Sequence, residues 1–536
     1  MEGLSLNQIS VTAEKSEKME GGLLLTGPRV KLELPAVPIR YLYSGWHSWS
    51  LTAWIGTDYN LRTQRPSILH PMQIDPLYAR DHRPNGSWYG AVELPGGGIV
   101  LLGSLGLDSH VALNGNILEG WNEGGQLDNP SCEWFLATGD ETGIFSRYAG
   151  LLGERLGKGH IQKPPRVWCS WYSLNTEIHE SQMLKILNDL GDLPFDVFQV
   201  DDGWQVSIGD WEPNAKFPSG MSGLATRIRA TGRKAGLWLA PLIVVPSSNT
   251  YHQHRDWLLH DKSGRLVSAG FNWGEQLYAL DTTHPGALEW LAALMKKIRL
   301  WGYDYAKLDF LSAGALPGKR HMDMPREAAY RNGLKVIRTA LDDAYLLTCA
   351  APILPSIGLC DALRVGPDVA SHFTSQLDDS LLMNFSVPGV RNALRTTLHR
   401  LWLAPLLHTD PDVVYFRTRQ NNLTAEQKSL MQDLATICNV KATSDIPSWL
   451  TDSERTLLHA FLEAAPRVSK IGHVAYRIGD RQVDFSQFIT MPPLPGPLTN
   501  LVGAIPDSLA PIKLLMKILD KLGKNSIKHM LEENPV

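Results

Sequence analysis

Aspartates collect at the ends of short apolar runs in this chain: Asp201 and Asp202 in FQVDDGWQ, Asp309 in YAKLDF, Asp368 in ALRVGPD, Asp410 and Asp412 in HTDPD. A single carboxyl at a strand end serves as readily as a helix cap or a structural ion-pair partner as it does a reactive group. Several converging on one mouth are different, because clustered carboxyls either ligate a cation or share acid–base work. Oxygen-ligated magnesium is the weaker option here. Lys307 precedes Asp309 by two residues on the same side of a strand, where its ammonium repels a cation. His252 and His254 form an H-x-H pair, but in a loop running into RDWLLHD, so surface histidines are the expected reading and a metal centre the minor one.

Glycosidic cleavage uses such acids better. Its retaining form needs two carboxyls about 5–5.5 Å apart, one ionised for attack and one protonated to donate to the leaving oxygen. Asp309 is expected to be the ionised member, with Lys307 beside it stabilising negative charge. Asp368 follows the turn Gly366-Pro367 and lies one helical-turn length beyond Arg364. It is expected to keep its proton through burial and through the charge of Asp309 across the sugar ring. The adjacent Asp201 and Asp202 offer several acceptors to two neighbouring hydroxyls, a clamp rather than a proton-transfer pair.

These acids need elements that bring them to one place. After the connector Gly157–Arg166, apolar strands alternate with helical periodicity: RVWCSWY, HESQMLKILNDLG, FDVFQVDDGW, GLATRIRATGRKAG, LWLAPLIV, WLAALMKKIRLWG, DYAKLDF and AAYRNGLKVIRTALDD. Apolar, non-alternating strands separated by helices are parallel strands covered on the outside. The segment 165–450 therefore reads as an eight-stranded (β/α)8 TIM barrel, whose chemistry belongs at the carboxyl ends of its strands. Six strands are assigned to Val167–Trp171, Val197–Val200, Gly236–Leu242, Tyr305–Phe310, Tyr345–Cys349 and Ala362–Val365, with two more at Leu401–Leu407 and Ile437–Ala442. An open doubly wound sheet is the rival, but the glycine-rich phosphate turn it usually carries near its first strand is missing. Upstream, 1–156 shows short alternating runs such as Lys31-Leu32-Glu33-Leu34, as expected of an N-terminal β-sandwich. Downstream, 451–508 reads as a small β domain that passes into a proline-rich stretch. The tail 509–536 reads as a helix whose stripe of Ile512, Leu515, Leu519 and Leu522 is expected to pack on the body, with a membrane surface as the lesser alternative.

Composition agrees with a folded enzyme. The chain has 536 residues with 43% apolar residues and a formal charge of −4, which gives no global positive field for nucleic acid. Cys132, Cys169, Cys349, Cys360 and Cys438 lie far apart without C-x-x-C spacing, so neither disulfides nor a zinc cluster are expected. The start lacks a basic segment followed by a long apolar one, and the runs Gly96–Leu107 and Ala235–Pro246 are too short to span a bilayer, so a reduced cytoplasmic setting is expected. Seventeen tryptophans, three of them at Trp46, Trp49 and Trp54, mostly suit a large core, but indoles beside strand-end acids also suit a sugar face.

The strings WCSWY, FQVDDGWQ, GLWLAP, YAKLDFLSAG, LPSIGLCDALRVGPD and DPDVVYFR, together with GWHSWS at Gly45–Ser50, resemble the α-galactosidases of glycoside hydrolase family 36 over almost the whole length. The resemblance implies Asp309 as nucleophile and Asp368 as general acid/base. It implies Asp201 and Asp202 on two hydroxyls of a terminal galactose, and Lys307 and Arg364 on others. Trp171, Trp238 and Cys349 would shape the pocket, and Trp49 would close it from the N-terminal domain or from another subunit. The substrate is then a galactose-containing oligosaccharide or glycoconjugate, with no cofactor and no metal, and an assembly of copies is the family habit. An α-N-acetylgalactosaminidase or a transglycosylase on the same residues is the alternative, and a non-catalytic sugar-binding protein the remote one. The chain departs from the family at Cys349-Ala350-Ala351, where glycine usually follows the cysteine, and at His408-Thr409 before DPD.

Overall fold

The computed structural model describes residues 6–59, 75–79, 81, 83–123, 132–159, 163–374 and 385–491. The tail expected as a helix, 509–536, and the proline-rich stretch before it lie outside the described residues.

Among the described residues the N-terminal strands, from Ser10–Thr12 to Glu133–Gly139, form one twelve-stranded sheet, eleven along a single hydrogen-bonded path and Thr52–Gly56 paired beside it, where a β-sandwich was expected. The sheet curls around a core that includes Leu25, Val30, Leu32, Val100, Leu102, Trp134 and Leu136. Alternate residues of the same strands, Leu42, Leu101, Phe135 and Ala137, belong to the core shared with the rest of the protein. Apolar side chains therefore point out of both faces, which is why Ile99–Ser104 reads IVLLGS instead of alternating with polar residues. The helix Glu141–Leu156, capped by Asp140 accepting from the N–H of Gly143, leads into the parallel strands.

Eight parallel strands follow in sequence order: β1 Arg166–Cys169, β2 Val197–Val200, β3 Lys234–Leu239, β4 Tyr303–Leu308, β5 Tyr345–Thr348, β6 Ala362–Arg364, β7 His408–Asp410 and β8 Lys441–Thr443. β8 pairs with β1, and the chain just beyond β7 meets β8 through Val414, whose N–H donates to the Ala442 carbonyl at 2.8 Å. The curled sheet so brings its first and last strands together. The helices Glu180–Asp189, Gly220–Ala230, Pro285–Leu300 and Arg326–Leu341 fall where the 3.6-residue periodicity places them. The strand expected at Leu401–Leu407 does not form. Leu401–Leu403 is a 3-10 turn ahead of Pro405, and Trp402 packs edge-on to Tyr89 of the N-terminal sheet, so this apolar run serves the junction and the strand starts at His408. Likewise Ile437 lies in the last turn of the helix Ala425–Cys438, and β8 begins three residues after that helix ends.

Inward-facing residues repeat every second position along the strands and so stack in layers. Val167, Val197, Tyr305, Tyr345 and Ala362 form an apolar floor, with Tyr305 and Tyr345 stacked at 5.3 Å. Two residues on, Cys169, Gln199, Lys307 and Arg364 make a polar middle, and a further two give Asp201 and Asp309 at the top. One small cavity of about 30 Å³ lies between floor and middle, so the interior is a packed core.

After β8, a helix Asp452–Glu463, started by a capping box of Thr451 and Glu454, precedes a three-stranded sheet, Val468–Lys470, Ala475–Ile478 and Arg481–Asp484. The N-terminal sheet and the parallel strands are joined by Arg400, which is 1% exposed. Its guanidinium donates to the carbonyls of Gly45, His47, Ser48, Ser50 and Val365 and to the hydroxyl of Thr52. The loop so held pairs with the segment after β5: Ser48 N–H donates to Ala351 O at 3.1 Å, and Ile353 N–H to Trp46 O at 3.1 Å. Ala350, between them and Cys349, has φ 44°, the left-handed conformation that a glycine adopts freely.

Two outcomes follow for this junction. Arg400→Met leaves six oxygens without their buried donor, and the thermal unfolding midpoint should fall by at least about 5 °C; an unchanged midpoint would show that the loop is held by its other contacts. Ala350→Gly exchanges left-handed strain of about 1 kcal/mol for a similar cost in chain entropy, so the midpoint should hold or rise by about 2 °C at most. A clear fall would mean that the Ala350 methyl packs better than its backbone strains.

Candidate active site

Every strand-end acid singled out from the sequence lies at one end of the parallel sheet, and the hydrogen bonds among them define two groups. The first is built on β2 and β4. Lys307 Nζ lies 2.9 Å from Asp201 Oδ2, both side chains being buried. The same oxygen accepts from Gln199 Nε2 at 2.6 Å, and Asp201 Oδ1 accepts the Asp202 N–H at 3.0 Å. Lys307 was expected beside Asp309, and the structure corrects this. Side chains two apart on one strand are separated by nearly 7 Å, whereas Asp201, just past the end of β2, stands at the height of the ammonium. Asp309 is instead held by neutral donors: Trp238 Nε1 at 3.2 Å on Oδ2 and its neighbour's N–H, Phe310, at 2.8 Å on Oδ1. The second bond requires Phe310 to adopt φ 55°.

The second group is built on β6 and β7 around Arg364. Its Nη1 donates to Asp368 Oδ1 at 2.8 Å and to the Tyr172 hydroxyl at 3.2 Å, its Nε to Asp410 Oδ2 at 3.0 Å, and its Nη2 faces Asp412 Oδ1 at 2.9 Å. The planar fork suits this spread of acceptors, which a lysine point charge could not serve. Asp412, at φ 83°, turns its backbone so that its own N–H donates to Asp410 and its side chain accepts from Val369.

The two groups sense each other. Burial raises the Asp368 carboxyl above the ordinary range, Arg364 and then Lys307 pull it down, and the charge of Asp309 pushes it up again. Asp368 keeps 18% of its side chain exposed at the mouth, so it can reach a ligand. Burial pushes Asp412 up to about 7 and Asp202 up to about 6. The Cys349 thiol is raised well above its usual range by burial and then by Asp309, so it is a neutral wall group there.

Among the indoles, Trp238 reaches Asp309 directly. Trp171 begins the short helix Trp171–Leu174 after β1 and is half-buried. Trp49, on the Arg400-bound loop of the N-terminal region, meets Phe310 edge-on at 5.9 Å and so stands next to Asp309. His252 and His254 are elsewhere, on and just after the helix Asn249–Gln253, and His254 stacks on Trp257 at 3.6 Å. Among the described residues, no group of three or more His, Cys, Asp or Glu is arranged to hold a metal ion. The five cysteines are free and buried, and no described helix is long and apolar enough to cross a membrane.

Three site residues were not assigned from the sequence. Tyr172 and Gln205 stand inside WCSWY and FQVDDGWQ, where the acids and tryptophans drew the attention; Gln205 Nε2 donates to Asp202 Oδ1 at 2.5 Å. Trp273 comes from the insertion after β3 and donates to Asp202 Oδ2 at 2.7 Å. Its only signal is a tryptophan-glycine pair between short alternating runs.

With this geometry in place, comparison with known proteins is informative. Residues 130–345 match the Melibiase family. The α-galactosidase of Thermus thermophilus, solved with p-nitrophenyl α-D-galactopyranoside, is 43% identical with a TM-score of 0.84, covering 90% of this chain and 97% of that one. The same enzyme has also been solved with stachyose, covering 99% of that chain at 44% identity and a TM-score of 0.80. The family 36 α-galactosidase AgaA of Geobacillus stearothermophilus shares the fold at a TM-score of 0.55 and 15% identity over 65% of its chain. In direct sequence comparison AgaA is 28% identical over 212 residues, 37% of this chain, and that match spans 28% of AgaA's own length. The 43% identity to the Thermus enzyme over 97% of its chain, together with the Melibiase match, places this chain in the α-galactosidases of glycoside hydrolase family 36.

Proposed function

We propose that this protein is a retaining, exo-acting α-galactosidase that removes terminal non-reducing α-D-galactosyl units from oligosaccharides or glycoconjugates, with Asp309 as nucleophile and Asp368 as general acid/base. The observation that carries the reading is the unlike treatment of these two carboxyls. Asp309 is turned by two neutral N–H donors at the end of β4, while Asp368 is raised by burial and by the charge of Asp309. One is presented for attack and the other keeps a proton to give. The relatives bound to p-nitrophenyl galactoside and stachyose support the sugar class.

In the first step Asp368 protonates the glycosidic oxygen as an Asp309 oxygen bonds to the anomeric carbon, and the aglycone leaves as its alcohol. In the second, Asp368 as carboxylate takes a proton from water, and the oxygen of that water displaces Asp309 from the same face as the lost aglycone. Asp201 and Asp202 accept from neighbouring sugar hydroxyls. Lys307 fixes Asp201, and Trp171, Trp238, Cys349 and Trp49 wall the ring. Arg364 is committed to three acids and Tyr172, so its part is to hold the acid/base and the strands beneath it, with hydroxyl contact secondary. Closure of the eight parallel strands into a full (β/α)8 barrel, a cytoplasmic setting and an assembly of copies belong to the same proposal.

Three measurements test it. On a panel of nitrophenyl α-glycosides, turnover should centre on the galactoside; activity confined to the N-acetylated sugar would overturn the substrate. Asp309→Ala should lose at least about a thousandfold in kcat on any galactoside, and added azide should give the β-galactosyl azide; the α-azide would reverse the two roles. Tyr172→Phe removes a bond that favours the ionised form of Asp368. The carboxyl then rises, so the basic limb of kcat/KM should move to higher pH by about half a unit to one unit. A downward shift would place the protonated group elsewhere.

A further inference from the structure

Between β3 and the helix Pro285–Leu300 the chain inserts a hairpin of Ser268–Asn272 and Glu275–Ala279. Asn272 pairs with Glu275, leaving Trp273 and Gly274 as a two-residue tip with φ 49° and 76°. Both central residues of this turn must be left-handed, which suits asparagine or glycine and costs a tryptophan about 1–2 kcal/mol. Such strain persists where the surroundings over-determine it. Here they do: Trp273 N–H donates to Asn272 Oδ1 at 2.8 Å, Ala279 and Tyr278 pair with Ile243–Val244, and Glu275 accepts from the Ser247 N–H at 3.0 Å and hydroxyl at 2.6 Å. The hairpin is thus pinned twice to the loop that leaves β3.

The pinned tip aims its indole into the site. Trp273 Nε1 donates to Asp202 Oδ2 at 2.7 Å, while its ring lies 6.2 Å from Trp238 and 5.2 Å from Phe310, the two residues that hold Asp309. Asp202 is 2% exposed and, among the described residues, has no cation bonded to it. Its orientation depends on neutral donors: Gln205 on one oxygen, Trp273 on the other, and the backbone N–H of Gly203.

We propose that Trp273 is a positioning residue for sugar binding: its N–H fixes the Asp202 carboxylate so that the remaining lone pairs meet hydroxyls of the terminal sugar, and its ring completes the aromatic wall from Trp238 through Phe310 to Trp49. The inference rests on the reading of Asp202 as a sugar clamp. The same bond keeps Asp202 available as an acceptor, because loss of Trp273 as donor raises a carboxyl that burial already lifts to about 6.

Trp273→Phe keeps the ring and removes the N–H, and is tested with nitrophenyl α-galactoside and with free galactose as inhibitor. KM and the galactose inhibition constant should both rise about tenfold, with kcat changed less than about threefold. The acid limb of kcat/KM should move to higher pH, because a larger share of Asp202 then carries a proton. Asn272→Ala, which only loosens the tip, should give the same changes at smaller size and serves if the first variant does not fold. Unchanged KM, inhibition constant and acid limb in both variants would overturn the inference, as would a fall in kcat with KM unmoved. Wild-type protein without α-galactosidase turnover would instead sink the functional reading itself.

Discussion

Six carboxyls, those of Asp201, Asp202, Asp309, Asp368, Asp410 and Asp412, meet at one end of the parallel sheet, and the cations bonded to them are Lys307 and Arg364. Burial, and then the charge of neighbouring acids, raises Asp202, Asp368 and Asp412 above the ordinary carboxylate range, so two cations serve a crowded set of acids. The site resolves this by geometry. Lys307 is given wholly to Asp201, Arg364 is divided among Asp368, Asp410 and Asp412, and Asp202 and Asp309 are left with neutral N–H donors. Burial raises Asp368 and Asp412 against the pull of the guanidinium they share, and a raised Asp368 is the proton source that the proposed chemistry needs.

That distribution follows from strand periodicity. Because inward positions recur every second residue, Tyr305, Lys307 and Asp309 stack on β4, and Val197, Gln199 and Asp201 on β2. The apolar floor lies beneath the two cations, whose ion pairs are with the acids and whose further bond is that of Arg364 to the Tyr172 hydroxyl. Part of the aromatic upper wall comes from outside the parallel strands: Trp49 from the loop clamped by Arg400, Trp273 from the pinned hairpin. Both segments are held by several hydrogen bonds to the rest of the fold, those of Arg400 buried, so the wall is set before a ligand arrives.

Much of this was legible in the residues. Strands ending in acids announced both the parallel sheet and the mouth where the acids gather, and β2, β4, β5 and β6 begin or end within two residues of their expected places. What periodicity could not resolve was apolar sequence with a different purpose. Leu401–Leu407 is as hydrophobic as a buried strand because it seals the junction with the N-terminal sheet. The N-terminal strands hid their count because their sheet is buried on both faces. Partner choice was also beyond the sequence. Lys307 and Asp309 share a strand face, yet the ammonium bonds to Asp201 beyond the end of β2, a matter of height and angle that spacing alone does not encode. Trp273 was hidden for a related reason, since its partner Asp202 lies 71 positions away.

The account stands or falls on the two-step displacement between Asp309 and Asp368. Proton NMR of a galactoside hydrolysis, followed from the first seconds before mutarotation, reads this directly. The account predicts that α-galactose appears first and the β-anomer only later, by equilibration. First appearance of β-galactose would mean a single displacement by water, and would contradict the roles given to both carboxyls.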